Sequence, residues 1–145
     1  TNYQKYLADL AEQYGVEDKI EFLGSLSGEE MKQAFLDANV FVLPSTIENS
    51  PNSLGEAMLL GVPCVAADGG GGTAMLRHGL EGEVYPSTAP YMLAFYAENI
   101  FAQGEAAEAM GAAARAHAGV THDPEKNLAD LLEIYERLAK NSAEG

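Results

Sequence analysis

The spacing of apolar residues along this chain changes repeatedly, and each change marks an element. Tyr3, Tyr6, Leu7, Leu10 and Tyr14 recur at helical spacing until Gly15 closes the segment. Residues 20–23 predict a short strand, and a helix is expected over about 29–38 with Met31, Phe35 and Leu36 on one side. Residues 40–43 form an unbroken apolar run ended by Pro44, the pattern of a strand covered on both faces. A helix over about 51–60 stops at Gly61 and Pro63, and the run VPCVAAD then predicts another buried strand. Four glycines, Gly69 to Gly72, lead into a short helix around 73–77, and EVYP gives a last strand. Three helical segments close the chain, over about 89–102, 105–117 and 124–140. Asp123 before Pro124 and Glu125 is a strong start for the last of them, with Asp as N-cap and Pro at the first helical position.

Strand and helix alternate through the middle, which predicts an α/β fold with an open, mainly parallel sheet of about four strands flanked by helices, followed by a C-terminal helical segment. With 145 residues and 47% apolar composition the chain is expected to form one domain over 1–145. Eight Lys and Arg against 22 Asp and Glu leave a formal charge of −14, which opposes nucleic acid and anionic lipid as partners. The single Cys64 can neither close an internal disulfide nor complete a multi-cysteine zinc site, so a buried, inert thiol in a reducing compartment is expected. No stretch approaches the ~20 apolar residues that span a bilayer, and the first residues lack the regions of a signal peptide. These features predict a cytoplasmic setting.

The segment PSTIENSPNSLGEAMLLGVP, residues 44–63, carries the candidate chemistry. Pro51 is favoured in the first helical turn, and Ser50 before it is pushed out of the helical region and suited to capping. The preceding strand places the turn STIEN at the carboxyl edge of a parallel sheet, where ligands of open α/β folds bind. The amides of Asn52, Ser53 and Leu54 then point into the crevice with a helix N-terminus behind them, a natural seat for phosphate. Glu48 and Glu56 flank that seat. They would repel the anion itself, but they can accept hydrogen bonds from hydroxyls attached to it, as in a sugar phosphate.

ANVFVLPSTIENSPNSLGEAMLLGVPCVAADGGG resembles the donor-binding half of retaining family 4 glycosyltransferases, enzymes of the two-domain, Rossmann-like GT-B fold. The likeness runs from about Lys19 through Tyr135 and includes FLG, Glu-x7-Glu, EAM-x-x-G-x-P, the glycine-rich turn, HG-x-EG and D-x-x-x-N-x-x-x-LL-x-I-Y. It implies a partial, C-terminal, nucleotide-sugar-binding domain. It further implies that Glu48 is catalytic, near the transferred sugar's hydroxyls, that Glu56 accepts from a nucleotide ribose, and that the amides around Ser53 and Leu54 hold the diphosphate. Gly70 and Gly71 would approach the sugar closely. The implied reaction moves a sugar from a nucleoside diphosphate such as UDP to an acceptor hydroxyl with retention, with no metal or cofactor. Departing from the family, Gly72, Thr73 and Ala74 stand where larger residues and often an acid are usual.

Other candidates have plainer accounts. The run DGGGGTAM would need glycine at Met75 to match a dinucleotide turn. His78, His117 and His122 are far apart in sequence and expected to be solvated or capping, and Ser45 lacks a nucleophile elbow. In the resembled fold, two strands carrying a glycine-rich turn and a diphosphate-neutralising basic residue precede this chain's first residue, and the acceptor domain lies on that side too. By the usual strand order those two would lie between the strands at 20–23 and 40–43, leaving an open sheet edge through which the chain could self-associate. None of the eight basic residues falls within the Glu48 to Glu56 motif, and Arg77 is the nearest candidate for charge compensation. Two functions therefore stand: the donor half of a glycosyltransferase, inefficient alone, or an inactive fragment or redesigned scaffold with a binding or structural role.

Overall fold

The structure, a computed structural model, describes residues 2–47 and 49–143. These fall into two compact units, 1–31 and 32–145.

The first unit contains α1 (Asn2–Tyr14), a single 3-10 turn (Glu17–Lys19) and the start of α2 (Gly28–Asp37). α1 ends as its sequence predicts: Gly15 takes the left-handed conformation at φ +64, and its amide donates to the Glu12 carbonyl at 3.0 Å. Ser27 and Glu30 cap α2 reciprocally, the Ser27 amide donating to Glu30 Oε2 at 2.8 Å and the Glu30 amide to Ser27 Oγ at 3.4 Å. The Ser27 hydroxyl, donating to Glu30 Oε2 at 2.7 Å, and then the Ser27 amide hold the Glu30 carboxyl below its usual range. The strand expected at 20–23 does not form: these residues are exposed and belong to no sheet. A strand exists only by pairing, and the rest of this unit is helix and turn.

The second unit is built on a three-stranded parallel sheet, β1 (Phe41–Leu43), β2 (Cys64–Ala67) and β3 (Glu83–Tyr85), in that spatial order. It is an open α/β sheet, with three strands instead of about four. Phe41, Val42 and Leu43 register with Cys64, Val65 and Ala66, and Val65 to Ala67 register with Glu83 to Tyr85. β2 is buried throughout, as a central strand should be, whereas β1 is only half-buried rather than covered on both faces. Of the residues expected on the inner side of α2, Phe35 is buried and sets its ring edge-on against Phe41, while Leu36 faces outward.

Helices α3 (Asn52–Leu60), α4 (Gly72–Met75), α5 (Tyr91–Gln103), α6 (Glu105–Thr121) and α7 (Pro124–Ala143) complete this unit. Val65, Ala67, Tyr85, Ile100, Ala107 and Met110 form one cluster of the core. α3 ends on Gly61 at φ +77, as Gly61 and Pro63 foretell. α3 and α6 pack through bare backbone, since a Cβ on Gly111 would lie 2.1 Å from the Gly61 carbonyl oxygen. Asp123 caps α7 as expected, Oδ1 accepting from the amides of Glu125 at 2.9 Å and Lys126 at 3.1 Å. Cys64 is wholly buried, and desolvation pushes its thiol up to about 12. No helix among the described residues is long and apolar enough to cross a membrane.

Candidate functional site

Because β1 and β2 are parallel neighbours, the turns that leave their carboxyl ends lie side by side. Their contact explains the glycine run. A Cβ on Gly69 would stand 2.2 Å from the Thr46 carbonyl oxygen, and one on Gly71 would stand 1.5 Å from that of Asn49 and 3.2 Å from the Ser50 amide nitrogen. No side chain fits either place. Gly70 between them sits at φ +77, where an L-residue is strained. The second turn thus lies directly against the backbone that leads into α3, bringing Gly71 beside the start of that helix.

α3 begins one residue later than expected. Pro51 stands just outside the helix at φ −71 and ψ 106, and no side chain caps it, so Ser50 does not act as the cap. The Pro51 carbonyl accepts from the Leu54 amide at 3.1 Å and the Gly55 amide at 3.4 Å. The Leu54 amide is therefore turned into the helix, and its side chain is fully buried. The amides of Asn52 and Ser53, first in the helix, have no intrahelical acceptor and face outward along its axis. Glu56 is exposed, one turn beyond the exposed Asn52 on the same face. Glu48 lies outside the described residues.

Arg77, the expected source of compensating charge, is engaged elsewhere. Its guanidinium holds the Glu81 carboxylate through Nε at 2.8 Å and through Nη2, and its backbone amide donates to Glu81 Oε2 at 3.0 Å. His117 Nδ1 meets the same Oε2 at 2.8 Å. Glu81 is completely buried, which pushes its carboxyl up, yet the bonds from Arg77 and then His117 outweigh burial and hold it down at about 2. Asp68, after β2, accepts the Ser87 amide at 2.7 Å and is likewise held below its usual range by that bond.

Behind the start of α3 the end of α6 comes close. A Cβ on Gly55 would meet His122 Nε2 at 2.6 Å, so glycine here lets the imidazole lie on the helix backbone. A cavity of about 220 Å³, lined by Ser50, Ala74, Met75, His117, Thr121 and His122, lies beside this contact. The sequence reading missed this cluster. Its one legible trace is HG-x-EG, which contains Glu81; His117 is 36 residues further on. Among the described residues no three His, Cys, Asp or Glu side chains converge as a metal site would require.

Residues 1–117 match the sequence profile of the family described as "Glycosyl transferases group 1". The chain belongs to this family. A relative described as an uncharacterized glycosyltransferase of Methanocaldococcus jannaschii is 39% identical over 82 residues, covering 56% of this chain and 21% of its own length. Among solved structures, sucrose-phosphate synthase from Thermosynechococcus elongatus superposes with a TM-score of 0.85 at 24% identity, over 94% of this chain and 34% of that one. Anabaena HepE in complex with UDP superposes with a TM-score of 0.80 at 23% identity, over 91% of this chain and 37% of its own. The group 1 assignment and the GT-B, Rossmann-like architecture therefore agree with the sequence pattern. The chain spans about a fifth to about a third of the length of these relatives.

Proposed function

We propose that this chain is the donor-binding part of a retaining glycosyltransferase that moves a sugar from a nucleoside diphosphate to an acceptor hydroxyl. The observation that carries the reading is the junction of the two turns, which sets Gly69 and Gly71 against the backbone leading into α3 while the Asn52 and Ser53 amides open outward. That is a seat for a diphosphate, at the end of the sheet where such ligands bind. UDP is the favoured nucleotide, since HepE, which shares this fold, is solved with it.

Charge accumulates on the diphosphate as the glycosidic bond breaks, so fixed amides and a helix terminus stabilise the transition state more than the ground state. Glu56 accepts from ribose hydroxyls and Glu48 is the catalytic residue, each a role that the family resemblance implies, and the reaction proceeds without metal. Acceptor binding belongs to residues beyond this chain. A second reading, a binding or structural scaffold without transfer, draws support from Arg77: its guanidinium is committed to Glu81. A cytoplasmic setting suits the reduced Cys64.

Titration with UDP-glucose, followed by amide chemical shifts, tests the reading. Saturable shifts confined to residues 52–56 and 70–71, weakened at least about tenfold in Glu56→Ala, are expected. Absence of any shift at millimolar ligand would leave the scaffold reading standing.

A further inference from the structure

The cavity between α4 and the end of α6 contains two imidazoles, and hydrogen-bond bookkeeping places the proton of one, His117. Glu81 is ionised and accepts only, so the nitrogen of His117 that meets it, Nδ1, carries a hydrogen. In its neutral form His117 therefore carries its lone pair on Nε2. Thr121 Oγ1 stands 3.2 Å from the His117 carbonyl, to which it can donate, and 3.0 Å from His122 Nδ1. Nε2 of His122 is covered by Gly55. His117 has its Nδ1 edge against buried Glu81, so its Nε2 edge is the one that lines the cavity. Among the described residues no carboxylate, lysine or arginine lines this space; Ser50 and Thr121 supply its hydroxyls, and Ala74 and Met75 its apolar wall. A small pocket of hydroxyls and imidazole, with neutral His117 offering a fixed acceptor, suits a hydroxyl-bearing ligand.

We propose that this cavity is a hydroxyl-reading subsite for the transferred sugar, with His117 Nε2 accepting from one sugar hydroxyl and Glu81 holding the ring in the required tautomer. It rests on the donor-binding reading, because Ser50 lies in the turn that enters α3 and Ala74 in α4, directly after the second turn of that crevice. His117 is then a specificity residue and Glu81 a positioning residue acting through it.

The test separates the two nitrogens of His117. In His117→Asn the side-chain amide can still donate to Glu81 from the Nδ1 position, but nothing replaces Nε2. Wild-type protein should bind UDP-glucose about three- to tenfold more tightly than UDP, the worth of one neutral hydrogen bond. In His117→Asn this preference should vanish while UDP affinity and thermal midpoint stay near wild type. His117→Gln, which restores a polar group near Nε2, should regain part of the preference. An unchanged preference in His117→Asn overturns the proposal. Should UDP itself fail to bind, the donor reading falls first, and the subsite is then judged with free glucose. Saturable shifts of the His117 ring protons at tens of millimolar glucose uphold the subsite, and their absence overturns it.

Discussion

Glu81 is the residue on which the second unit concentrates most polar bonding, and it is wholly buried. Its two oxygens take the Arg77 guanidinium, the Arg77 amide and His117, so the ionised form is favoured in the folded state. A carboxyl held down in the native state contributes stability that is fully present above the unfolded value of 4.5 and is lost as pH falls through that range toward 2. Thermal midpoints measured from pH 5 down to about 2 should therefore fall faster for wild type than for Glu81→Gln, which starts lower because it leaves Arg77 and His117 without their anion. Parallel curves would mean that Glu81 is not ionised in the fold. Nothing local announces this residue's role: the motif shows an acid between glycines, and the imidazole that completes its shell comes from another helix.

At the scale of elements, signals carried within a few residues are the legible ones. Asp123, Pro124 and Glu125 encode the start of α7 in three adjacent positions, and the cap forms with the bonds expected. Asp123→Ala should cost about 1 kcal/mol in a urea titration, with an unchanged slope. A change below a few tenths would show α7 held by something other than its cap. Gly15 and Gly61 end α1 and α3 for the same local reason, a left-handed residue where the helix must stop. Residues 20–23 show the opposite case. Their apolar run is a good strand sequence, yet a strand is completed by its neighbour, and none pairs with them here. The candidate site divides along this line. Pro51 and Gly61 bracket α3 to within one residue, and the glycine run marks a close approach. That the approach is to Thr46 and Asn49, and that the Leu54 amide folds back onto Pro51, depends on three-dimensional register.

For the whole molecule, the exposed apolar groups and the charge pull in opposite directions. Leu128, Leu131, Leu132, Tyr135 and Leu138 are all exposed on α7, along one side at helical spacing. β1 pairs only with β2 among the described residues. Phe41 donates its amide to Pro63 on the β2 side, so by alternation the Val42 amide faces the open edge. Against this stands a net charge of −14, which keeps copies apart at low ionic strength. Sedimentation at about 0.02 M and about 0.5 M salt should show a mass that grows with concentration only in the screened buffer. Val42→Pro, which removes an outward donor and no β1–β2 bond, should suppress the growth if the edge mediates it. Growth unaltered by this change would assign association to α7 instead.

The seat of Gly69 and Gly71 on Thr46 and Asn49 also bears on how such proteins can be recombined. A chimera that imports the loop after β2 from a homologue with bulkier residues, while keeping the loop after β1, would force two backbones into the same space. Crossover points for domain shuffling therefore belong before β1 or after α4, so that both loops are inherited together.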